Sequence, residues 1–478
     1  MFLFRYERHE PKNTLLYKII NESYPRYLSQ LANEGRRLPL YIQKEFDDYL
    51  KCGLLEYGFL RVRCEDCRHE RMVAFSCKHR GFCPSCCAKR MIESAALLVD
   101  SVLPHEPMRQ WVLSVPYPLR FLFASNPHVM GKALKIVYRI ISTYLIKKTG
   151  HSKKTARTGA VTLIQRFGSA LNLNIHFHML FLDGVYVDDA KSEGGQRFVP
   201  VLNHHVADIT RLAHLMSVRI ARYLSRMGLI EADAENSYLS DASTDGEMTD
   251  HQSYSIMYRI STGFQKGKKI FSVQTRPPIV DEAKNFALLG KVEGFSLHAG
   301  VSAKAHQRGK LERLCRYISR PPVAEDRLSH TSAGKICYEL KTPYRDGTTH
   351  VIFDPLDFIS KLAALVPSPR VNLTRFHGVF APNSQYRSAI IIKKAEKTPK
   401  GETKTESEKR RAMSWAARLK RAFNIDINVC ERCGGAAKVI ACIDDPVAIN
   451  KILSHLKTKQ DSKFMLPVNR APPASFTA

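Results

Sequence analysis

Apolar and polar positions alternate with hardly an exception from Leu171 to Phe181, in the stretch LNLNIHFHMLF. Successive side chains of a strand point to opposite faces of a sheet, so this alternation predicts a β-strand with one buried and one polar face. The polar face carries His176 and His178. At strand spacing their Cα atoms lie about 6.6–7 Å apart, close enough for both imidazoles to bind one metal ion.

Helical and strand patterns recur on both sides of this stretch. Pro39 near the start and Gly53 just past the end predict one helix in LYIQKEFDDYLKC. An amphipathic helix is predicted in MGKALKIVYRIISTYLIKK, a second long helix in RLAHLMSVRIARYLSRMG, and a strand in WVLSVPY. A basic helix is predicted over residues 304–320, because Pro321 and Pro322 stop it. Residues 231–250 contain seven acidic and no basic residues, which predicts a solvated loop. Together these patterns indicate an α+β protein.

The net charge of the chain indicates what kind of partner it binds. Its 478 residues include 73 Lys and Arg against 45 Asp and Glu, a net charge of +28. Such an excess of one sign indicates a polyanionic partner, either nucleic acid or an anionic membrane surface. No apolar run has the length of a membrane span, and the N-terminus is charged too early for a signal peptide. We therefore expect a cytoplasmic protein whose twelve cysteines are reduced thiols or metal ligands.

The first cysteine motif has the spacing of a zinc site. Cys64-x2-Cys67 is followed, after fifteen residues, by Cys83-x2-Cys86, and the intervening RHERMVAFSC predicts a strand that closes a hairpin. Four thiolates from two tight turns form a tetrahedral, structural zinc site without an open position. Cys77 is an alternative to one of these four ligands, and buried free thiols are the alternative to zinc.

A second cysteine motif lies near the C-terminus. Cys430-x2-Cys433 followed by two glycines is half of a zinc site, and the sequence does not reveal the other half. Cys442 and His455 are candidates at unusual spacing. The alternative is a plain turn that carries two thiols.

The basic helix presents a candidate nucleophile, Tyr317. Residues three or four apart share a helix face, so Tyr317 falls on a polar stripe with His306, Lys310, Arg313 and Arg320. Cations around a tyrosine stabilise the negative charge that develops during phosphoryl transfer. The alternative is an amphipathic surface helix whose tyrosine packs at its rim.

Five long blocks, in order, resemble the IS91 family of rolling-circle transposases and its common-region relatives. They are FSCKHRGFCPSC, QRFGSALNLNIHFHMLFLDGVY, LCRYISRPPVAEDRL, YRDGTTHVIFDPLDFISKLAALVPSPRVNLTRFHGVFAPNS and INVCERCGGAAKVIACI, and the resemblance covers nearly the whole chain. The family implies an HUH endonuclease, in which His176 and His178 flank the hydrophobic Phe177. It implies a tyrosine nucleophile, which maps to Tyr317. Many members carry a second tyrosine four positions away, where this chain has Arg313, so it resembles the single-tyrosine relatives.

The resemblance also implies a domain order and a fold. The expected core is an HUH-type antiparallel sheet with flanking helices, preceded by a zinc ribbon and followed by a small zinc-knuckle-like tail. The corresponding segments are a helical segment at 1–60, a zinc ribbon at 61–92, a catalytic domain at 93–392 with an acidic loop at 231–255, a basic linker at 393–412 and a CxxC unit at 413–478.

The implied chemistry is metal-dependent cleavage of single-stranded DNA. Magnesium or manganese is expected on His176, His178 and a third ligand, for which Gln165, Asn172 and Asn174 are candidates. Gln165 reaches the site only if the Gly168–Ser169 region turns the chain back. Tyr317, assisted by Arg313, is expected to form a 5′-phosphotyrosine at single-stranded or hairpin transposon ends in a bacterial cytoplasm. The chain lacks a G-x-x-x-x-G-K-[ST] loop, so helicase and replication functions are expected from the host.

Two other functions remain open from the sequence. A rolling-circle replication initiator would use the same chemistry at a fixed origin. A non-catalytic, zinc-dependent DNA-binding regulator would need only the cysteines and the charge, and would leave the histidine pair and Tyr317 without a role.

Overall fold

A computed structural model describes residues 10–189, 195–232, 237–239, 248–278, 288–391, 429–430 and 432–464. The chain divides into a smaller unit of residues 1–12, 51–77 and 424–478, and a larger unit of residues 13–50 and 78–423. The expected basic linker, 393–412, lies outside the described residues. None of the helices in the described ranges is both long enough and apolar enough to cross a membrane.

The smaller unit is built on a three-stranded antiparallel sheet. Its strands are β1 (Phe59–Cys64), β2 (Glu70–Ala74) and β18 (Ala437–Ile443), in the order β18-β1-β2, and helix α11 (Pro446–Phe464) follows. Strand β2 confirms the hairpin predicted after the first cysteine pair. Strand β18 comes from the far end of the chain, and Phe59 is buried with Leu55 and Ile449. The C-terminal segment is therefore part of the sheet and of its small core.

The larger unit contains ten helices and fifteen strands among its described residues. The helices are α1 (Leu15–Asn33), α2 (Leu40–Lys51), α3 (Pro84–Leu97), α4 (Tyr117–Ser125), α5 (Pro127–Lys148), α6 (Val206–Arg226), α7 (Thr249–Ile256), α8 (Arg308–Ile318), α9 (Pro355–Leu365) and α10 (Arg387–Ile390). The strands are β3 (Met108–Ser114), β4 (Ala156–Arg157), β5 (Gly159–Phe167), β6 (Leu173–Leu182), β7 (Gly184–Asp188), β8 (Gln196–Pro200), β9 (Ile230–Ala232), β10 (Ser237–Leu239), β11 (Phe271–Gln274), β12 (Leu289–Val292), β13 (Phe295–Ala303), β14 (Leu328–His330), β15 (Ile336–Glu339), β16 (Thr348–Phe353) and β17 (Thr374–Gly378).

A six-stranded antiparallel sheet forms the centre of the larger unit, in the order β12-β13-β3-β6-β5-β17. The predicted histidine strand is β6, an interior strand, and the predicted WVLSVPY strand is its neighbour β3. The mixture of helices and antiparallel sheets confirms the α+β class. The helices predicted in LYIQKEFDDYLKC, MGKALKIVYRIISTYLIKK and RLAHLMSVRIARYLSRMG are confirmed as α2, α5 and α6.

The two faces of β6 are covered by different layers. Ile175, Phe177 and Met179 are fully buried in the main core, which also contains residues of α4, α5 and α6. On the opposite face, Leu180 and Leu182 pack in a second core with residues of α3 and α8. Residues of even number on β6 share one face, so the histidines lie on the same side of the sheet as α8.

Two predicted boundaries differ from the structure. The basic helix covers only Arg308–Ile318, shorter than the expected 304–320. The Lys304 N–H donates to the Gln307 side chain before the helix begins, and Ser319 leaves the helical conformation just before Pro321 and Pro322. Part of the expected acidic loop, 233–236 and 240–247, lies outside the described residues, but its end forms α7 rather than a loop.

Candidate active site and zinc centre

The hairpin of β5 and β6 places Gln165 beside the histidine pair. Between the strands the chain reverses over residues 168–172, where the Gly168 N–H donates to the Asn172 carbonyl at 2.9 Å and Leu171 takes a φ of 57°. In the resulting register Gln165 pairs directly with His176. Directly paired residues of an antiparallel ladder have Cβ atoms about 4.5–5.5 Å apart. The reversal that would bring Gln165 to the site is therefore present.

The imidazoles of His176 and His178 lie side by side, with ring centres 4.9 Å apart. His176 Nδ1 donates to the Asn174 carbonyl at 2.9 Å, so its Nε2 keeps a lone pair when the ring is neutral. Nδ1 of His178 is 2.7 Å from the side-chain amide nitrogen of Gln110. Because the two ends of an amide are interchangeable by a flip, Gln110 can also accept the Nδ1 proton and leave Nε2 free for a metal.

Burial keeps both histidines neutral at pH 7. It lowers the pKa of His176 to about 4, and the Arg320 and Arg120 charges add to this effect although the Asn174 hydrogen bond opposes it. Burial lowers the pKa of His178 to about 2, with further contributions from His176 and Arg320. Neutral imidazole is the form that binds a metal ion, so the electrostatics of this face favour ligation over protonation.

Several polar side chains of the β5–β6 hairpin carry buried atoms without hydrogen-bond partners. Among the described residues, His178 Nε2 and both amide atoms of Gln165 have no partner, and Gln165 is only 4% exposed. Asn172, another candidate ligand, is fully buried with the same deficit, and Asn174 lacks a partner for its oxygen. Buried polar groups are nearly always satisfied, so such a group indicates a missing ligand or water. Imidazole nitrogens and an amide oxygen fit a divalent cation.

Helix α8 presents Tyr317 on the histidine side of the sheet. Leu311, Cys315 and Ile318 are buried under the helix, while Tyr317 is 44% exposed. The guanidinium of Arg320 lies 4.5 Å from the centre of the Tyr317 ring, and Nζ of Lys341 lies 4.8 Å from it.

The cations of the predicted stripe are arranged differently from the expectation. His306 and Arg320 lie outside the helix, and Arg313 is exposed one turn before Tyr317. Sequence reasoning missed Lys341, which follows β15 and reaches Tyr317 only through the fold, and it missed Gln110, on the strand next to β6. No local pattern marks either residue.

Four cysteines of the smaller unit converge on one point. The Sγ atoms of Cys64, Cys67, Cys430 and Cys433 lie within 4.8 Å of one another, with Cys64–Cys433 and Cys67–Cys430 each at 3.5 Å. A tetrahedron with zinc–sulfur bonds of about 2.3 Å has edges of about 3.8 Å, so these spacings suit zinc. Backbone N–H groups of Arg432 and Cys433 lower the pKa of Cys430 to about 7, which favours the thiolate.

This grouping corrects the pairing expected from spacing. Cys64 and Cys67 were expected to share zinc with Cys83 and Cys86, but their neighbours are Cys430 and Cys433, because strand β18 brings the C-terminal knuckle to the end of β1. The missing half of the C-terminal motif is thus the first CxxC pair, and Cys442 and His455 do not belong to the group.

The remaining candidate cysteines, Cys77, Cys83 and Cys86, do not belong to the group around Cys64 and Cys67. In the larger unit the Sγ atoms of Cys83 and Cys86 lie within 4.8 Å at the start of α3, and the Lys78 N–H donates to Cys86. In the smaller unit the Cys77 N–H donates to the sulfur of Cys52. Cys77, Cys83 and Cys86 remain predicted zinc ligands, but at a site other than the one formed by Cys64 and Cys67.

Comparison with known families matches two regions of the chain. Residues 19–115 match the family described as "Transposase zinc-binding domain", whose model is named for IS91 transposases, and residues 159–388 match the family described as "Putative transposase". No curated protein and no solved structure matches the chain. The first region includes the Cys64–Cys67 knuckle, and the second includes His176, His178 and Tyr317. The protein is thus a DNA-processing enzyme with structural zinc, and it belongs to the IS91 family of transposases.

Proposed function

We propose that this transposase is an HUH-type endonuclease and strand transferase that cuts single-stranded DNA for rolling-circle transposition. The observation that carries the proposal is the shared face of the central sheet, where the histidine pair and helix α8 lie on the same side. Arg320 supports it further, since its charge acts on both histidines and its side chain contacts Tyr317.

His176, His178 and Gln165 are the proposed ligands of a magnesium or manganese ion. Two neutral imidazoles and an amide whose polar atoms lack partners form the donor set. When bound, the ion would polarise the scissile phosphate. Gln110 positions His178 through its ring nitrogen.

Tyr317 is the proposed nucleophile. Its phenolic oxygen forms a bond to phosphorus and loses its proton to solvent, while the bond from phosphorus to the 3′-oxygen breaks and that oxygen takes a proton from solvent. The products are a 5′-phosphotyrosine and a DNA strand with a free 3′-hydroxyl, and the phosphoester energy is conserved for strand transfer. Arg320, Lys341 and Arg313 would stabilise the charge that builds on the phosphate.

The net charge of +28 supports DNA as the partner, and single-stranded or hairpin ends of the element are the proposed substrate. The 3′-hydroxyl would be extended by host replication enzymes behind a host helicase in the bacterial cytoplasm. A replication initiator would share this chemistry, and the DNA that flanks the gene distinguishes it from a transposase.

A covalent adduct assay tests the proposal. The full-length protein is incubated with magnesium and single-stranded oligonucleotides from both flanks of its gene, and the products are resolved on a denaturing gel. We expect a protein–DNA species from one flank and a released 3′-hydroxyl strand. His176→Ala and His178→Ala should remove both products and leave DNA binding nearly unchanged, because the rings lie outside the main core. DNA binding without cleavage by the wild type would instead favour the regulator.

A further inference from the structure

A cavity of about 280 Å³ opens in the larger unit between β5, α3 and the end of α8. Four arginines line it, namely Arg80, Arg90, Arg166 and Arg320, and none of its lining residues is acidic. Ligand pockets for drug-sized molecules have volumes of roughly 300–1,000 Å³, so this cavity suits a ligand the size of one nucleotide.

The positive charge of this cavity is only partly offset by the protein, through the Glu45 carboxylate, whose charge acts on Arg80. None of the four arginines forms an ion pair with a carboxylate in the described part of the chain. Arg166 is buried and donates only to the Leu365 and Ala364 carbonyls, and Arg80 donates to the Val371 carbonyl. Burial, together with the charge of Arg90, lowers the pKa of Arg80, although the charge of Glu45 opposes this effect. An anion in the cavity would relieve this accumulation of charge.

The rest of the lining suits a nucleobase. Phe167 offers an aromatic face, and the Arg320 guanidinium lies 5.4 Å from the centre of its ring. Asn372 and Thr374 line the cavity and provide polar side chains, which can hydrogen-bond to base edges. Arginines beside an aromatic ring and amide groups form the combination by which proteins bind single-stranded nucleotides.

Two residues connect the cavity to the proposed reaction site. Gln165 lines the cavity and pairs with His176 across the β5–β6 ladder. Arg320 lines it and contacts the Tyr317 ring. We propose that the cavity binds one extruded nucleotide of the DNA strand beside the scissile phosphate, with its base on Phe167 and its phosphate among the arginines. This inference rests on the proposed function, and it assigns to the cavity a part in choosing the cleavage position.

An abasic scan tests the proposal independently of catalysis. The full-length Tyr317→Phe variant, which cannot form the adduct, is used without metal, and the probe is the flank oligonucleotide that this variant binds most tightly. Single abasic sites are placed at each position along that oligonucleotide. We expect one position at which loss of the base weakens binding about tenfold, as for loss of one stacked base. In Phe167→Leu and Arg90→Gln backgrounds the same abasic site should have almost no effect.

Arg222→Gln is the matched control, since it removes one exposed positive charge on α6, outside the cavity. It should retain the tenfold abasic effect. If the abasic effect persists in both cavity variants, or if no position shows one, the proposal is wrong. Deoxynucleoside monophosphates that displace the oligonucleotide at concentrations close to its dissociation constant would show that the cavity binds free nucleotide. That result would also overturn the proposal. Loss of cleavage in the wild type with an intact abasic effect would contradict the proposed function alone.

Discussion

The guanidinium of Arg320 lies 4.5 Å from the centre of the Tyr317 ring, two residues after helix α8 ends. The same charge acts on His176 and His178, where it helps to lower the pKa of both rings. Arg320 is therefore placed to hold a phosphate near both the proposed nucleophile and the proposed metal ligands. Its position follows from Pro321 and Pro322, since proline cannot continue a helix.

Tyr317→Phe should abolish the covalent adduct and leave DNA binding intact, because the substitution removes only the hydroxyl. Peptide mapping of the wild-type adduct should place the nucleotide on Tyr317. An adduct that persists in Tyr317→Phe would overturn this assignment while leaving the metal site standing.

Arg320→Ala should slow cleavage by about 10²-fold, the effect of losing one donor to a developing oxyanion. Arg313→Ala, one helical turn before Tyr317, tests the role predicted from the cationic stripe of the basic helix and should cause a smaller loss, because Arg313 is exposed. Single-turnover cleavage rates of the two variants, each compared with the wild type, show which arginine contributes more to cleavage. A larger loss in Arg313→Ala would reverse the order of importance that the structure suggests.

Gln110→Leu should raise the magnesium concentration that gives half-maximal cleavage by about 10–100-fold, which is typical when a group that orients a metal-binding histidine is lost. The reason is that Gln110 is the hydrogen-bond partner of His178 Nδ1, at 2.7 Å. Saturating magnesium should restore most of the rate, since Gln110 does not touch the phosphate in this scheme. A rate loss that no metal concentration rescues would contradict a positioning role.

Local periodicity was enough to predict the central strand of the site. The alternation around His176 predicted β6 and its buried face, because one strand determines on its own which side chains share a face. It could not establish that Gln165 faces His176, since that depends on the register of the β5–β6 hairpin. Lys341 contacts the Tyr317 ring although Pro321, Pro322 and strands β14 and β15 separate the two residues along the chain. No pattern in the sequence predicts that contact.

The cysteines also show that a local sequence pattern does not determine which distant residues meet in the fold. Spacing predicted that Cys64 and Cys67 bind a metal, but it favoured the nearest pair in sequence as their partners. The observed partner of Cys67 is Cys430, 363 positions away, and strand pairing of β18 with β1 brings them together. A ligand set that spans most of the chain is decided by tertiary pairing, which spacing rules do not contain.

Cys433→Ser should lower the zinc content of the purified protein by about one ion per chain, because four thiolates share one tetrahedral site. It should also make the C-terminal segment sensitive to proteolysis, since metal binding is coupled to the folding of small modules. Cys442→Ser is the matched control, because Cys442 is exposed on β18 and outside the group. Elemental analysis with unchanged zinc in Cys433→Ser would refute the site.

His251 should make the stability of the larger unit depend on pH. It is 1% exposed, Nδ1 lies 3.2 Å from the Tyr27 hydroxyl and 3.0 Å from the Ser360 hydroxyl, and Arg36 donates to Nε2 at 3.2 Å. Burial, followed by the charge of Arg36, lowers its pKa to about 4. The other charged groups that act on it are Asp250, Lys266 and Glu34.

The sign of the effect follows from linkage. The unfolded chain protonates His251 near its ordinary pKa of about 6.5, whereas the folded protein resists protonation down to about 4. The stabilisation is therefore complete above about pH 6.5 and is lost as the pH falls towards 4. Between pH 7 and pH 5 this one group should cost about 2 kcal/mol of unfolding free energy. Urea denaturation of wild type and His251→Gln at both pH values isolates this contribution, because the other histidines are common to both proteins. The wild type should lose about 2 kcal/mol more than the variant, and equal losses would show that His251 titrates normally in the folded protein.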